Sequence, residues 1–315
     1  MQIVDLRSDT VTLPTSEMRR AMYEAEVGDD VYGEDPTVRQ LEQLGAQITG
    51  KEAALFVTSG TMGNQIAAMV HAQRGDEIIC ESESHIYYYE VGGLAYLAGV
   101  QARPLTGIKG ILAPESIRQA IRGIDIHQPK TALICLENTH NRAGGVCYSS
   151  QDLAAIKELA DCYNIPVHID GARIFNAAVA QNVTVGELTQ YAHSVTFCLS
   201  KGLCAPVGSL LTGSQEFIEQ ARRYRKMLGG GMRQVGILAA AGIVALKTMV
   251  DRLAEDHLHA RILGAAIANL GLIIDLTTIQ TNIVLFDVSR LPMTAADMIA
   301  KLNQYGVKAS QFGDN

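Results

Sequence analysis

Lys201 lies between two short apolar stretches of the chain. Residues 194–199 and 207–211 are each predicted to form a buried strand, because both runs are apolar, too short for a helix and separated by glycine and proline. A lysine amine that is desolvated between buried strands loses its proton easily. The neutral amine can attack a carbonyl carbon to form a Schiff base. The structural alternative is an amine that reaches solvent at a strand end, and this stretch alone leaves both open.

Asp170 ends another apolar run, whose sequence is VHID. Because side chains alternate along a strand, Asp170 and His168 are predicted to share one face. A buried carboxylate needs a positively charged partner. That partner could be Arg173, in a purely structural ion pair, or the protonated nitrogen of a bound heteroaromatic ring.

A glycine-rich segment, SGTMGN, follows one predicted strand and precedes a predicted helix. This arrangement points free backbone N–H groups at an anion, although a tight turn without a ligand would show the same pattern. The turn at Gly60, Thr61 and Met62 would accept a phosphate. With an aldehyde on Lys201 and a ring nitrogen on Asp170, the three anchors together fit pyridoxal 5'-phosphate.

The rest of the chain supplies the elements that must position these residues. Apolar strands alternate with amphipathic helices up to about residue 211, which predicts an α/β fold with a mostly parallel sheet covered on both faces. Ligands of such sheets bind at the carboxyl ends of the strands. The polar clusters that fall at predicted strand ends are residues 58–63, 137–140, 170–173 and 200–201.

The last third of the sequence predicts a smaller α/β unit. The elements expected there are a helix at 215–227, two helices within 232–270, a strand at 280–287, a helix at 294–305 and a strand starting at 307. We therefore predict a large domain of residues 16–245 and a small domain of residues 1–15 and 246–315.

Composition excludes several classes of protein. A net charge of −7 and a pI near 5.6, with no run of basic residues, argue against a nucleic-acid partner. No apolar run approaches the ~20 residues of a membrane helix, and the charged first ten residues do not resemble a signal peptide. The six cysteines contain no CxxC pair, so we expect reduced thiols in a cytoplasmic protein. No metal site is predicted, because His257 and His259 face different ways on a helix.

Eight segments, in chain order, resemble the L-threonine aldolases of the low-specificity or L-allo type: DLRSDTVTLP, VGDDVYGEDPTV, SGTMGNQ, ESESHI, LENTHNRAGG, HIDGARIFNA, CLSKGLCAPVGS and KMLGGGMRQ. The resemblance extends from residue 5 to about residue 235. That family consists of fold-type-I pyridoxal-phosphate enzymes of the β-eliminating lyase superfamily. The resemblance therefore implies a seven-stranded sheet in the large domain and retro-aldol cleavage of L-threonine or L-allo-threonine to glycine and acetaldehyde.

The resemblance also implies roles for individual residues. The cofactor would be held by Gly60, Thr61, His85, Asp170, Arg173, Ser200 and Lys201. The substrate would be bound by Ser8, Tyr32, Arg173, Lys226 and Arg233. Lys201 would carry the aldehyde, and His85 would stack on the ring. Either His85 or His127 would take the proton of the substrate's β-hydroxyl. Members of the family are typically homotetramers of tight dimers, so some of these residues would act across a subunit boundary.

Other interpretations stay open on the same residues. The family's chain continues into a strand whose arginine binds the substrate carboxylate, whereas this sequence stops at SQFGDN, and we expect that the sequence ends early. The fold-type-I scaffold also supports β-elimination and transamination. A dinucleotide-binding oxidoreductase would need a GxGxxG segment, which SGTMGN does not provide. A non-catalytic scaffold would follow if the second arginine were truly absent.

Overall fold

A computed structural model describes residues 3–313. Its strands are β1 Val4–Asp5, β2 Ala53–Val57, β3 Glu77–Glu81, β4 Gln101–Leu105, β5 Thr131–Glu137, β6 Val167–Asp170, β7 Ser194–Cys198, β8 Ser209–Gly213 and β9 Val307–Lys308. Seven of them form one sheet in the order β2-β8-β7-β6-β5-β3-β4. Strand β8 runs antiparallel to both neighbours, and the other pairs are parallel, so β2 points the same way as β3 to β7. The predicted α/β fold with a mostly parallel seven-stranded sheet is confirmed.

The helices of residues 3–313 connect and cover these strands. They are α1 Ser16–Glu24, α2 Pro36–Thr49, α3 Gly60–His71, α4 His85–Tyr88, α5 Pro114–Ala120, α6 Ser150–Cys162, α7 Ile174–Gln181, α8 Val185–Thr189, α9 Gln215–Met227, α10 Gly236–Thr248, α11 Leu253–Asn269 and α12 Ala295–Gln304. The central strands are buried along their whole length, because helices pack against both faces of the sheet. None of these helices is long and apolar enough to cross a membrane.

Most predicted elements occur with small shifts at their ends. Helix α3 begins at Gly60 rather than near Gln65, because the Ser59 hydroxyl caps it by accepting a hydrogen bond from the Met62 amide at 3.2 Å. The predicted apolar region 232–270 divides into α10 and α11 at the expected place.

The strand predicted at residues 280–287 is wrong. Residues 280–282 form bends, and the sheet pairing of this segment in the described chain is a single bridge between Ile273 and Asp287. A run of β-branched residues becomes a strand only where a neighbour satisfies its backbone groups, and none of the described strands lies beside it.

A second, two-stranded sheet joins the two ends of the described chain. Strand β1 pairs in parallel with β9, with Val4 opposite Val307. The N-terminal segment is therefore attached to the C-terminal part of the chain. The residues after β1 then run along the carboxyl edge of the main sheet. The division into domains of 16–245 and of 1–15 with 246–315 stays a prediction.

Candidate active site

A cavity of about 390 Å³ opens at the carboxyl edge of the main sheet. It is lined by Ser8, Thr10, Ser59, Gly60, Thr61, Asn64, His85, Tyr89, Glu137, Asn141, Asp170, Ala172, Arg173, Cys198, Ser200 and Lys201. These residues come from the ends of β2, β5, β6 and β7, from the start of α3, from α4 and the residue after it, and from the N-terminal segment. All of the residues predicted to hold the cofactor are among them.

The first turn of α3 forms one wall of the cavity. The N–H groups of a helix's first turn have no partner within the helix, and they attract anions. Gly60 lies so close to β7 that a Cβ atom would be 3.0 Å from the Cys198 sulfur. Glycine therefore keeps the helix start against the sheet and leaves the amides of Gly60 and Thr61 open to a phosphate-sized ligand.

Asp170 ends β6 and is 4% exposed. Its carboxylate accepts hydrogen bonds from the Asn64 amide at 2.7 Å and from the Ala172 backbone N–H at 3.1 Å. It has no ion-pair partner among residues 3–313, and Arg173, the structural alternative, pairs elsewhere. A buried carboxylate with neutral donors on one side and a cavity on the other fits a protonated ring nitrogen.

Arg173 is held in place by Asp9. Two parallel hydrogen bonds of 2.7 Å join the guanidinium to the two carboxylate oxygens, and a third bond of 3.1 Å joins it to the Asn141 side chain. Asn282 donates to Asp9 from the C-terminal part at 3.1 Å. Burial acts to raise the pKa of Asp9, but the charge of Arg173 outweighs it and holds that pKa below its usual range. The two remaining guanidinium N–H groups are available for a carboxylate in the cavity.

His85 begins α4 and contacts two acidic residues. Its Nδ1 lies 2.9 Å from Glu90, and its backbone N–H donates to Glu137 at 2.6 Å. Burial acts to lower the pKa of His85, but the hydrogen bond to Glu90 and the nearby negative charges raise it overall. Burial raises the pKa of Glu137 and of Glu90. Groups whose pKa values burial and charged neighbours both change are typical of functional sites.

The same groups could be considered as metal ligands. The ligand atoms of His85, Glu90 and Asp170 lie within 4.8 Å of one another. Side-chain amides of Asn64 and Gln65 already donate to their carboxylate oxygens, at 2.5 to 2.8 Å. A metal ion would have to displace these donors, so the arrangement fits a hydrogen-bonded cluster better than a metal centre.

Lys201 follows β7 and lies among the residues that line the cavity. Its carbonyl accepts hydrogen bonds from the Thr12 hydroxyl and the Cys204 N–H, each 2.8 Å long, which fixes the backbone of the turn. The side chain has no ion-pair partner among residues 3–313. A lysine in such a turn, lining one cavity with a buried acid, an arginine and a helix start, fits a site for an aldehyde cofactor.

Four other predicted residues lie away from the cavity of this single chain. His127 has a side chain that is 82% exposed and pairs with Asp125 at 2.8 Å. Tyr32 is 75% exposed, and Lys226 is exposed as well. Arg233 pairs with Asp29 at 2.7 Å on the same surface as Tyr32. Their roles stay predictions that depend on a partner subunit or on movement of their loops.

Sequence reasoning missed Asp9, Asn64 and Glu90. Each one lies inside or beside a quoted segment, but nothing local marks it as polar and buried. Asp9 meets Arg173 across 164 residues of chain, and Asn64 meets Asp170 across 106. Such pairs become visible only when the chain is folded.

Comparisons with known proteins identify the family of this chain. The family model for beta-eliminating lyases matches residues 5–290. A probable low-specificity L-threonine aldolase 2 of Arabidopsis thaliana is 48% identical and covers 98% of this chain and 88% of its own length. The low specificity L-threonine aldolase of Escherichia coli K12 is 49% identical over 82% of this chain and 77% of its own length.

Solved structures share the fold at lower identity. A putative aromatic amino acid beta-eliminating lyase/threonine aldolase from Exiguobacterium superposes with a TM-score of 0.83 at 22% identity, over 100% of this chain and 88% of the other. A putative L-allo-threonine aldolase from Listeria monocytogenes gives 0.80 at 20% identity, over 98% and 85%.

The chain therefore belongs to the beta-eliminating lyase family, and its relatives of nearly half identity place it in the threonine aldolase branch of that family. The resemblance drawn from the motifs is thereby confirmed.

Proposed function

We propose that this protein catalyses the pyridoxal-phosphate-dependent retro-aldol cleavage of L-threonine, L-allo-threonine and related β-hydroxy-α-amino acids, with glycine and acetaldehyde as products from threonine. The observation that carries the proposal is Asp170, a buried carboxylate without an ion-pair partner in the described chain. It faces the same cavity as Lys201 and the first turn of α3. The names of the relatives support the same reaction.

The residues present fit this cofactor. The phosphate would bind the amides of Gly60 and Thr61, with Ser200 beside them. Lys201 would hold the aldehyde carbon, and Asp170 would keep a proton on the ring nitrogen. When bound there, the cofactor supplies an electron-accepting ring for the bond that breaks.

Arg173 and Ser8 orient the substrate in this proposal. The guanidinium is already fixed by Asp9, so its two free N–H groups present a preformed fork to a carboxylate. Ser8 lines the same cavity. Holding the carboxylate in one place would fix the orientation of the α-carbon, so that its bond to the β-carbon is the one presented for cleavage.

A histidine accepts the proton of the β-hydroxyl as that bond breaks. His85 lines the cavity and has Nδ1 turned to Glu90. That contact leaves Nε2 as the nitrogen free to act, directly or through a water molecule. A role for His127 would require a neighbouring subunit or a change of its exposed loop.

The proposal extends to the whole assembly. We propose a homotetramer of tight dimers, because exposed Tyr32, Lys226 and Arg233 match family positions near the site, some of which are reached across a subunit boundary. We also propose a cytoplasmic enzyme of threonine breakdown and glycine formation, consistent with six cysteines that are all free thiols. An amino acid is the expected small-molecule partner, and no nucleic acid or membrane is expected.

Borohydride reduction of the protein incubated with pyridoxal 5'-phosphate, followed by peptide mapping, tests the cofactor site. We expect the label on Lys201. Lys51 is the internal control, since burial lowers its pKa to about 8 and makes it the competing amine elsewhere in the chain. Label on Lys51 with Lys201 unlabelled would contradict the proposal.

Product analysis with L-threonine tests the reaction. Acetaldehyde and glycine in equal amounts are expected. Ammonia with a keto acid would instead indicate β-elimination, and a keto acid with conversion of the cofactor to its amine form would indicate transamination.

A further inference from the structure

A chain of buried side chains leads away from the cavity through α3 and the sheet. Asn64 donates to Asp170 and to Glu90, and its Oδ1 lies 3.1 Å from Nε2 of His168. Nδ1 of His168 lies 2.9 Å from the Ser194 hydroxyl, which lies 2.8 Å from Nε2 of His71. Asn64, His168 and Ser194 are each at most 1% exposed.

The direction of every hydrogen bond follows from the carboxylate end. The ionised carboxylate of Asp170 only accepts, so Asn64 must turn its NH₂ group toward Asp170 and its oxygen toward His168. Nε2 of His168 must then carry a hydrogen. Burial lowers the pKa of His168 to about 4, so the ring is neutral and its Nδ1 has a lone pair.

The outer half of the chain follows in the same way. The Ser194 hydroxyl has one hydrogen, which Nδ1 of His168 accepts, so Ser194 must itself accept from Nε2–H of His71. Burial also lowers the pKa of His71, to about 3, and its ring stacks on Phe217 with the centroids 4.7 Å apart. Each group donates toward the cavity, and no other set of directions satisfies all of them.

We propose that His71, Ser194 and His168 form a one-directional relay that fixes the Asn64 amide, and that Asn64 is thereby the positioning residue for Asp170 and Glu90. Glu90 in turn contacts His85, so one amide holds both the carboxylate for the ring nitrogen and the acid that orients the histidine. The assignment of Asp170 to a ring nitrogen rests on the proposed function; the relay itself does not.

The hydrogen positions can be measured in the protein without cofactor. In protein labelled with ¹⁵N-histidine, NMR should show neutral rings for His71 and His168, each with its hydrogen on Nε2. A protonated His168 or an Nδ1–H form would overturn the relay, whatever reaction the protein catalyses. This measurement needs no variant and no activity.

Ser194→Ala tests what the relay does. The substitution leaves Nδ1 of His168 without a donor, so we expect the affinity for pyridoxal 5'-phosphate to fall by roughly 5- to 10-fold, as for loss of one buried hydrogen bond. Thr196→Val is the matched control, since it removes a buried hydroxyl of the same strand that has no hydrogen-bond partner within residues 3–313, and it should change the affinity less than about twofold.

A cofactor analogue without the ring nitrogen distinguishes loss of the Asp170 position from a general loss of cofactor affinity. Binding of 1-deazapyridoxal 5'-phosphate should be equally strong in the wild type and in Ser194→Ala, because Asp170 has no ring nitrogen to hold there. Equal losses for both compounds, or no loss for either, would overturn the positioning role. Failure of the wild type to bind pyridoxal 5'-phosphate at all would instead refute the proposed function, and the histidine hydrogens would still decide the relay.

Discussion

At the scale of single residues, the site depends on how each charge is compensated. The Asp170 carboxylate accepts hydrogen bonds from neutral donors, and the Arg173 guanidinium forms an ion pair with Asp9. Had Arg173 paired with Asp170, the ring-nitrogen position would be blocked and the guanidinium would be turned from the substrate. The sequence left the partner of Asp170 open between Arg173 and a ring nitrogen, and the fold brings Asp9 next to Arg173.

Asp9→Asn tests this pairing. An asparagine can accept from the guanidinium on one atom only, and its NH₂ group faces a donor. We expect KM for L-threonine to rise about tenfold or more while kcat changes less, together with a lower melting temperature, because one partner of a buried ion pair is lost. Steady-state kinetics and thermal unfolding measure both effects.

Asp5→Asn is the matched control for that variant. Asp5 pairs with Arg7 on the same N-terminal segment, but in an exposed setting, and surface ion pairs contribute little. Unchanged KM in Asp9→Asn would show that the carboxylate does not position Arg173.

At the scale of elements, a buried histidine connects two helices. His257 on α11 accepts a hydrogen bond from the Asn176 amide on α7 at 3.2 Å, and burial lowers the pKa of His257 to about 4 from 6.5. Between these pH values His257 is protonated in the unfolded chain but not in the folded chain. The stability that this contact contributes is therefore complete above pH 6.5 and is lost as the pH falls toward 4.

His257→Gln should make the melting temperature less sensitive to acid. A glutamine can still accept from Asn176 but does not titrate, so the fall in melting temperature between pH 7 and pH 4.5 should be smaller than in the wild type. His259→Gln, an exchange at an exposed position of the same helix, is the matched control. Parallel curves for wild type and His257→Gln would show that this contact carries no proton linkage.

At the scale of the whole molecule, some residues predicted to bind the substrate lie on an exposed surface away from the cavity. Tyr32 and Arg233 lie together on it, with the guanidinium 5.8 Å from the ring centre, and neither lines the cavity of the same chain. If they serve a neighbour's cavity, each active site takes Lys201 from one subunit and Arg233 from another.

Mixing two inactive variants tests this arrangement. Lys201→Ala and Arg233→Ala should each have little activity, and a mixture refolded or co-expressed together should regain part of it. The recovery follows because one site of each hybrid pair combines an intact lysine with an intact arginine. Absence of recovery, in hybrids verified by mass, would place both residues in the same subunit's site.

Light scattering on the wild type should give the mass of a tetramer.

The sequence by itself determined the order of strands and helices, the lysine between two buried strands, the acid at the end of β6 and the glycine-rich start of α3. These depend on apolar periodicity and on local backbone preferences, which act over a few residues. Only the tertiary structure decided that Arg173 pairs with Asp9, that Asn64 bridges two acids, and that residues 280–287 form no strand. Those outcomes depend on which groups meet when separate parts of the chain come together, and hydrogen-bond partners of that kind leave no periodic trace in the sequence.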